Sequence, residues 1–275
     1  MKFAEPKIVG IVNLTEDSFS DGGRYLEFDR ALEHALKLAA DGADIVELGP
    51  SSSNPDAREV SPDEERRRIE PLLAELAARR VAISVDSFQP ETQRYCARRG
   101  GAGEIALLND VEGFPNPAVY PDLARAACKL VVMHSTQGRA RPARSPADPR
   151  AVVAGIYRFF EQRLSALESA GIDRSRVILD PGMGYFLASN VEPSAMVLRE
   201  IPKLKQCFNL PVMVSVSRKS FLGTITGRAV GERGAATLAA ELFAARQGAD
   251  YVRTHDVAAL RDGLKVLSAL TDDSV

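Results

Sequence analysis

The chain has 275 residues, a formal net charge of -2 and an apolar share of 45%, which allows one large core and excludes the apolar depletion of a disordered chain. Its 35 basic and 37 acidic residues are interspersed, so no basic stripe marks a nucleic-acid surface. No apolar run approaches the ~20 residues that cross a bilayer, and a glutamate and a proline precede the first apolar run, unlike a signal peptide. We expect a cytoplasmic protein that binds small molecules and neither nucleic acid nor membrane.

Eight short segments rich in valine and isoleucine recur along the chain, and each predicts a buried strand. They are Lys7–Val12, Asp44–Leu48, Val81–Val85, Ile105–Leu108, Leu130–Met133, Val177–Leu179, Val212–Val216 and Tyr251–Arg253. Most are separated by longer stretches with helical spacing. These are Asp29–Ala40, Asp63–Ala78, Pro90–Arg99, Ala151–Ala170, Pro193–Phe208 and Ala235–Gln247. Strands that alternate with helices indicate a parallel sheet, because parallel neighbours need a crossover connection.

Glycine-containing turns precede three of these strands, as DGAD at 41–44, AGI at 170–172 and QGAD at 247–250. A glycine there lets the preceding helix end in a left-handed conformation. The repeated units predict a single (β/α)8 TIM barrel that takes in residues 1–275 as one domain. The competing fold is an open doubly wound sheet, which usually has fewer strands and a GxGxxG sequence after the first, whereas the first strand here runs into NLTEDSFSDGG.

The ends of the predicted strands are unusually polar. In a barrel of this kind the active site lies at the C-terminal ends of the strands. The residues found there are Asn13, Asp86, Asn109, Asp110, Met133, His134, Asp180, Ser217, Arg218, Lys219, Arg253 and His255. One such polar residue commonly caps a helix or makes a turn, but seven strands that bring polar groups to one rim favour a binding site.

These side chains describe the chemistry of a ligand. Two carboxylates, Asp86 and Asp180, together with two asparagine amides, can face a flat heterocycle that carries amino, ring N–H and carbonyl groups. Lys219, Arg253 and His255 suit an anion such as a pyrophosphate leaving group. The asparagine that ends the first strand offers an oxygen ligand of the kind that Mg²⁺ accepts. The residues alone therefore predict a heterocycle and an anion bound at a barrel mouth.

Seven ordered motifs at the predicted strand ends make this picture more specific. They are IVNLTEDSFSDGGRY (11–25), SVDSFQPET (84–92), LNDVEGF (108–114), VVMHS (131–135), ILDPGMG (178–184), SVSRKSFLG (215–223) and VRTHD (252–256). Together they resemble dihydropteroate synthase over almost the whole chain. The resemblance implies a transferase of folate biosynthesis that joins 4-aminobenzoate to 6-hydroxymethyl-7,8-dihydropterin pyrophosphate, giving 7,8-dihydropteroate and pyrophosphate. It also implies Mg²⁺ as the cofactor and a homodimer.

The resemblance further implies roles for individual residues. It assigns catalysis to Asn13, Lys219, Arg253 and His255, with Mg²⁺ bridging the pyrophosphate to Asn13. It assigns substrate binding to Asp86, Asn109, Met133, Asp180, Ser217, Phe19, Ser53, Asn54 and Phe186. In that arrangement a carboxylate accepts from the pterin edge, and catalysis consists of placement and charge stabilisation without a covalent protein nucleophile.

Two segments depart from the common pattern of this family. After the second strand, GGESTRP is replaced by GPSSSNP at 49–55, so that an arginine gives way to the neutral Asn54. After DPG, GFGK is replaced by GYFL at 184–187, which adds bulk beside the expected arylamine site. These features resemble the acquired, sulfonamide-insensitive branch of the family. We predict that Tyr185 and Phe186 form an aromatic wall that excludes sulfonamides, and the alternative is that they only pack on the barrel rim.

Two other functions remain open from the sequence. Corrinoid-dependent methyltransferases that act on methyltetrahydrofolate have a related pterin-binding barrel but need no pyrophosphate site, and the SRKS and RTHD segments count against them. A non-catalytic pterin-binding barrel would need a lost catalytic residue, and every expected one is present. Release of pyrophosphate in the presence of 4-aminobenzoate distinguishes the synthase from both alternatives.

Overall fold

The computed structural model describes residues 4–14, 24–51, 58, 60–100, 105–136 and 145–271, with only the backbone described for 24–27 and 100. Eight strands and nine α-helices lie within these residues. The strands are β1 (Lys7–Asn13), β2 (Ile45–Gly49), β3 (Ile83–Asp86), β4 (Ile105–Asp110), β5 (Lys129–Met133), β6 (Val177–Asp180), β7 (Met213–Val214) and β8 (Tyr251–Thr254). The helices are α1 (Arg24–Ala40), α2 (Pro62–Ala78), α3 (Pro90–Gly100), α4 (Tyr120–Arg125), α5 (Pro149–Ser169), α6 (Val191–Phe208), α7 (Ser220–Thr226), α8 (Gly234–Arg246) and α9 (Val257–Thr271).

The eight strands form one parallel sheet in the order β6-β5-β4-β3-β2-β1-β8-β7. The two edge strands also meet, because Leu179 in β6 forms a parallel bridge with Val212, next to β7. In that bridge the Leu179 N–H donates to the carbonyl of Pro211 at 2.9 Å. The sheet therefore closes on itself, and the predicted (β/α)8 barrel is confirmed.

All eight predicted strands and all six predicted helices are present, with ends that differ by a few residues. Three further helices, α4, α7 and α9, were not predicted. The first two have 6 and 7 residues, too few to show a helical period. In α9, Gly263 lowers the intrinsic helix propensity, and close packing accounts for the glycine, because a Cβ there would lie 2.9 Å from the side chain of Leu238 in α8.

Local signals explain where several helices begin and end. Ser61 caps α2 by accepting the Glu64 N–H at 3.3 Å, and Asp148 caps α5 by accepting the Arg150 N–H at 3.1 Å. The glycines of the three predicted turns all have positive φ, as a left-handed helix end requires. Among the described residues, no helix is both long and apolar enough to cross a membrane.

The core has two layers. The larger layer joins the outward faces of the strands to the surrounding helices. The smaller layer takes one buried apolar residue from each strand except β3, which places it inside the barrel. Its members are Val9, Ile45, Leu107, Val131, Ile178, Met213 and Tyr251. We call these seven residues the interior plug, and it closes the barrel below the C-terminal strand ends.

Two glycines differ in how tightly their surroundings are packed. Gly182, in the loop after β6, has a φ of +74°, and a Cβ there would meet the carbonyl oxygen of His134 far inside van der Waals contact. Gly171 has a similar φ of +80°, but nothing lies within 4 Å of the place that a Cβ would take. The two positions thus share a left-handed backbone conformation, which would strain any other residue, and they differ in the space available for a methyl group.

We expect Gly171→Ala to cost ~1–2 kcal/mol of unfolding free energy, the strain of a left-handed non-glycine residue. Gly182→Ala should cost ~2–5 kcal/mol, because the clash with backbone adds to the same strain. Denaturant unfolding of both variants measures the difference. Equal losses of unfolding free energy in the two variants would show that the loop after β6 moves to accommodate the methyl group at no cost.

Candidate active site

The period of two along each strand places a polar layer directly above the interior plug. Two positions after each plug residue comes a second inward side chain; it is Ile11 after Val9 and Ser215 after Met213, and the other five form what we call the polar layer. These five are Glu47, Asn109, Met133, Asp180 and Arg253. Glu47, Asn109 and Asp180 are buried, and the side chain of Arg253 is 17% exposed. The barrel interior thus changes from apolar to charged within one step of two residues.

Arg253 is the centre of this layer. Its Nε donates to Glu47 Oε1, and its Nη2 donates to Asp86 Oδ2 at 3.0 Å. The guanidinium therefore joins β8 to β2 and β3 across the barrel. The sequence suggested a cation available to an anion at the rim, whereas the structure shows one that already has two carboxylate partners. Burial alone would lower the pKa of Arg253, but the two carboxylates outweigh it and raise the pKa.

Glu47 is a site residue that the sequence analysis missed. It is fully buried in β2, and besides Arg253 its carboxylate accepts from Ser84 Oγ at 2.8 Å and from Asn109 Nδ2 at 3.4 Å. Glu47 lies inside the predicted strand, whereas the polar residues predicted for the site lie at strand ends. The available signal was a carboxylate within an otherwise apolar buried segment, since such a charge is rarely buried without a partner.

Two carboxyl groups of the site have pKa values close to neutrality. Burial, followed by the charge of Glu47, raises the pKa of Asp86 to about 7. Burial also raises the pKa of Asp180 to about 6, although its Oδ1 accepts the Gly182 N–H at 2.8 Å. Both side chains therefore change their protonation state close to neutral pH, which is common at functional sites.

The basic side chains at the ends of β7 and β8 are also shifted. Burial, and then the charge of Arg253, lowers the pKa of Lys219 to about 8. Burial, helped by the neighbouring cations, lowers the pKa of His255 to about 3, so this imidazole is neutral near pH 7. Ser217 fixes the ring, since its Oγ lies 2.8 Å from His255 Nδ1 and accepts the His255 backbone N–H at 3.2 Å.

Phe186 lies against Lys219. The Lys219 Nζ is 4.6 Å from the centroid of the Phe186 ring, a cation–π distance. Thr136 holds the Phe186 carbonyl with its backbone N–H at 2.9 Å and its hydroxyl at 3.0 Å. Tyr185, in contrast, is 50% exposed. Of the two aromatic residues predicted to form a wall, Phe186 is thus the one in contact with a site residue.

Of the other predicted site residues, Asn13 and Met133 are described by the structure. Asn13 is exposed at the end of β1, and its Oδ1 would lie 3.6 Å from a Cβ on Gly49 in β2. Met133 is buried in the polar layer. The remaining predicted substrate contacts lie outside the described residues; they are Phe19, Ser53 and Asn54.

Two polar strand-end residues have structural roles. Asp110 accepts from Gln93 Nε2 and from the Phe114 N–H, both at 2.8 Å, and so shapes the turn after β4. His134 is buried with its Nδ1 3.3 Å from the Pro181 carbonyl, and burial lowers its pKa to about 4. For these two residues the ordinary explanation of a strand-end polar group holds.

Comparison with known proteins agrees with this geometry. The model of the family described as pterin binding enzyme matches residues 9–255, from β1 to the end of β8. The chain is 51% identical over 264 residues to the type-3 dihydropteroate synthase of Escherichia coli, covering 96% of this chain and 99% of the relative. It is 54% identical over 266 residues to the type-2 enzyme of the same organism, covering 96% of each.

The chain belongs to the dihydropteroate synthases of the pterin-binding family. A solved structure agrees: the dihydropteroate synthase of Xanthomonas albilineans with 4-aminobenzoic acid has a TM-score of 0.87 and 36% identity, covering 98% of this chain and 94% of that one. In this dihydropteroate synthase, four of the predicted site residues belong to the polar layer: Asn109, Met133, Asp180 and Arg253.

The charge of Glu47 makes a prediction about pH dependence. Because Glu47 raises the pKa of Asp86, Glu47→Gln should lower that pKa and extend the ionised form of Asp86 to lower pH. If substrate binding needs the Asp86 carboxylate, the acid limb of kcat/KM for the pterin substrate moves from near pH 7 towards the pKa of Asp180, about 6.

The matched control is Ser84→Ala, which removes a hydrogen bond to Glu47 but no charge. Its acid limb should stay at the wild-type position. An acid limb that does not move in Glu47→Gln would show that the charge of Glu47 does not act on Asp86.

Proposed function

We propose that this chain is a cytoplasmic enzyme, one barrel domain over residues 1–275, in which the polar layer binds the pterin and the rim binds pyrophosphate and 4-aminobenzoate. The observation that carries the assignment is Asn109 Oδ1, a buried acceptor with no hydrogen-bond partner among the described residues. It lies in the barrel mouth with Asp86 and Asp180, whose pKa values are raised by burial. A flat ring rich in N–H donors satisfies all three acceptors at once.

Each of these side chains then has a distinct role towards the pterin. Asp180 accepts from the amino and ring N–H groups, with its orientation fixed by the Gly182 N–H at 2.8 Å. Asn109 adds an acceptor and keeps its Nδ2 on Glu47 at 3.4 Å. Met133 packs against the ring, and Arg253, held by its two carboxylates, flanks the ring from the β8 side.

The basic residues at the rim serve the leaving group. As the C–O bond of the pterin methylene breaks, pyrophosphate leaves with the bonding electrons and the methylene becomes cationic. Lys219 at the rim stabilises the developing negative charge directly, and Arg253 adds its positive charge from the polar layer, where it stays paired with Glu47 and Asp86. Neutral His255 can donate from Nε2 while Ser217 occupies Nδ1. The nitrogen of 4-aminobenzoate then forms the new C–N bond and loses a proton to solvent, so the protein supplies no covalent nucleophile.

Mg²⁺ fits this rim through one protein ligand. Within the described residues, no group of three or more histidine, cysteine or acidic side chains could hold a metal ion. Mg²⁺ needs no such group when phosphate oxygens and water complete its shell, and exposed Asn13 offers one amide oxygen at the right end of the barrel. When bound, the ion would neutralise charge on the pyrophosphate, while Asn13 fixes its place.

Specificity against sulfonamides is assigned to Phe186, with Ser53 and Asn54 as further contacts of the arylamine. 4-Aminobenzoate and a sulfonamide both present an aniline nitrogen to the pterin. Discrimination must therefore act at the opposite end of the arylamine, where the substrate has a planar carboxylate and the drug has a tetrahedral sulfonyl group. Phe186 is half-buried and fixed by Thr136 and Lys219. A rigid ring there would clash with the bulkier group, which is discrimination by repulsion.

The homodimer is assigned to the face formed by α8 and α9. Helix α8 is apolar on more than its inward side, and Phe243 is 40% exposed. On the neighbouring α9, Val266 is 60% exposed and Leu270 is 80% exposed. Large apolar side chains gathered on adjacent helices mark a surface that another protein covers, and a second copy of the chain is the partner that we propose.

A pyrophosphate-release assay tests the proposed reaction. With the pterin pyrophosphate and Mg²⁺ present, continued release over many turnovers should require 4-aminobenzoate and should yield one dihydropteroate for each pyrophosphate. A methyltransferase or a non-catalytic pterin-binding barrel would release none. Pyrophosphate released at the same rate without 4-aminobenzoate would contradict the condensation.

The same assay tests the role of Phe186. We expect wild-type turnover to continue in a sulfonamide, and Phe186→Gly to lower the ratio of inhibition constant to KM for 4-aminobenzoate several hundredfold, as a lost clash of ~3–4 kcal/mol requires. Tyr185→Gly is the matched control on the exposed neighbour and should leave the ratio unchanged. A ratio that does not change in Phe186→Gly would remove this ring from the discrimination.

A further inference from the structure

The first turns of α2 hold the backbone that leaves β1 and β2. One nitrogen of Arg68, Nη1, donates to the carbonyl of Leu14 at 3.0 Å and to the carbonyl of Pro50 at 2.8 Å. Leu14 directly follows Asn13, and Pro50 directly follows the last residue of β2. The Leu14 N–H also donates to the Gly49 carbonyl at 2.9 Å. The end of β1 is therefore fixed both to β2 and to α2.

Two neighbouring acidic residues support this contact. The Arg68 Nη2 donates to Glu64 at 2.6 Å, and the Arg68 side chain is only 18% exposed. Glu65 is fully buried and accepts from the hydroxyl of Ser51 and, at 2.6 Å, from the hydroxyl of Ser87. Ser87 directly follows Asp86. One helical turn thus contacts the chain immediately after three consecutive strands.

The helix does not need these polar contacts to stay on the barrel. Its buried apolar residues Ile69, Leu72, Leu73 and Leu76 belong to the main core. The adjacent Arg67 is exposed on the same helix. Packing therefore explains the position of α2, but it does not explain why an arginine fork reaches two carbonyls at the strand ends.

We propose that Arg68 is a positioning residue for the pyrophosphate end of the active site, acting on Asn13 through the backbone of Leu14. The proposal rests on the role given to Asn13 under the proposed function. The contacts of Arg68 that carry the proposal are to two backbone carbonyls and one carboxylate. Its effect is geometric: a group that must meet a phosphate oxygen or its metal loses about a hundredfold in rate when it is displaced by ~1 Å.

The experiment compares Arg68→Met and Arg68→Lys with Arg67→Met as the matched control. Steady-state kinetics with the pterin pyrophosphate give kcat and KM at saturating 4-aminobenzoate and Mg²⁺. Calorimetry with 6-hydroxymethylpterin, which lacks the pyrophosphate, gives the affinity of the polar layer alone. Thermal melting of each variant reports its stability.

We expect both Arg68 variants to lose about a hundredfold in kcat/KM for the pterin pyrophosphate and to bind 6-hydroxymethylpterin within about twofold of wild type. Lysine should not restore the activity, because its single ammonium cannot reproduce the rigid fork of donors. Arg67→Met should behave as wild type in all three measurements. A residue that only stabilises the fold is not expected to lower kcat/KM for the pterin pyrophosphate while leaving the affinity for 6-hydroxymethylpterin unchanged.

Asn13→Ala, measured in parallel, separates the proposal from its premise. If Asn13→Ala is impaired and both Arg68 variants match wild type, the positioning role is wrong and the proposed function stands. If Asn13→Ala matches wild type, the role of Asn13 is wrong and the proposal falls with it. Affinity for 6-hydroxymethylpterin, melting temperature and activity that fall together in both Arg68 variants would also overturn the proposal, because they would indicate a merely structural arginine.

Discussion

The shared ion pair of Arg253 with Glu47 and Asp86 is the interaction on which the site depends. Two carboxylates in a desolvated interior cannot both stay ionised without a cation between them. Arg253 supplies that charge from β8, with Nη2 3.0 Å from Asp86. Even so, Asp86 keeps a pKa of about 7. One guanidinium thus holds the layer together, and the carboxylate oxygens can still accept further hydrogen bonds. The donor-rich edge of a pterin requires such acceptors.

Much of this architecture could be predicted from the sequence. Valine-rich segments and glycine turns define eight βα units, because strand and helix periods are local properties. The inward direction of Asp86, Asn109 and Asp180 follows from the period of two along each strand. Glu47 escaped because its partner Arg253 is 206 residues away along the chain, and a pairing over that distance exists only once the barrel has closed.

The sequence also overestimated some residues, for a physical reason. Asp110 and His134 lie at strand ends just as Asp86 and Asp180 do, yet each forms hydrogen bonds with nearby groups of the fold. Type and position alone cannot distinguish a polar group that the fold satisfies from one left for a ligand. The unpartnered Asn109 Oδ1 shows that difference, and it is visible only in three dimensions. In the proposed function, depth in the barrel separates the roles: the polar layer is assigned to the pterin, and the rim, where Phe186 lies against Lys219, is assigned to the second substrate.

The central claim is that Asp86 and Asp180 are partly protonated in the free enzyme and become fully ionised when the pterin binds. Calorimetric titration with 6-hydroxymethylpterin in buffers of different ionisation enthalpy, at a pH between the pKa values of Asp180 and Asp86, about 6 and about 7, counts the protons exchanged. The account predicts release of about one proton per pterin bound, because binding favours the charged form of both carboxylates. Binding without proton release, or with proton uptake, would contradict it.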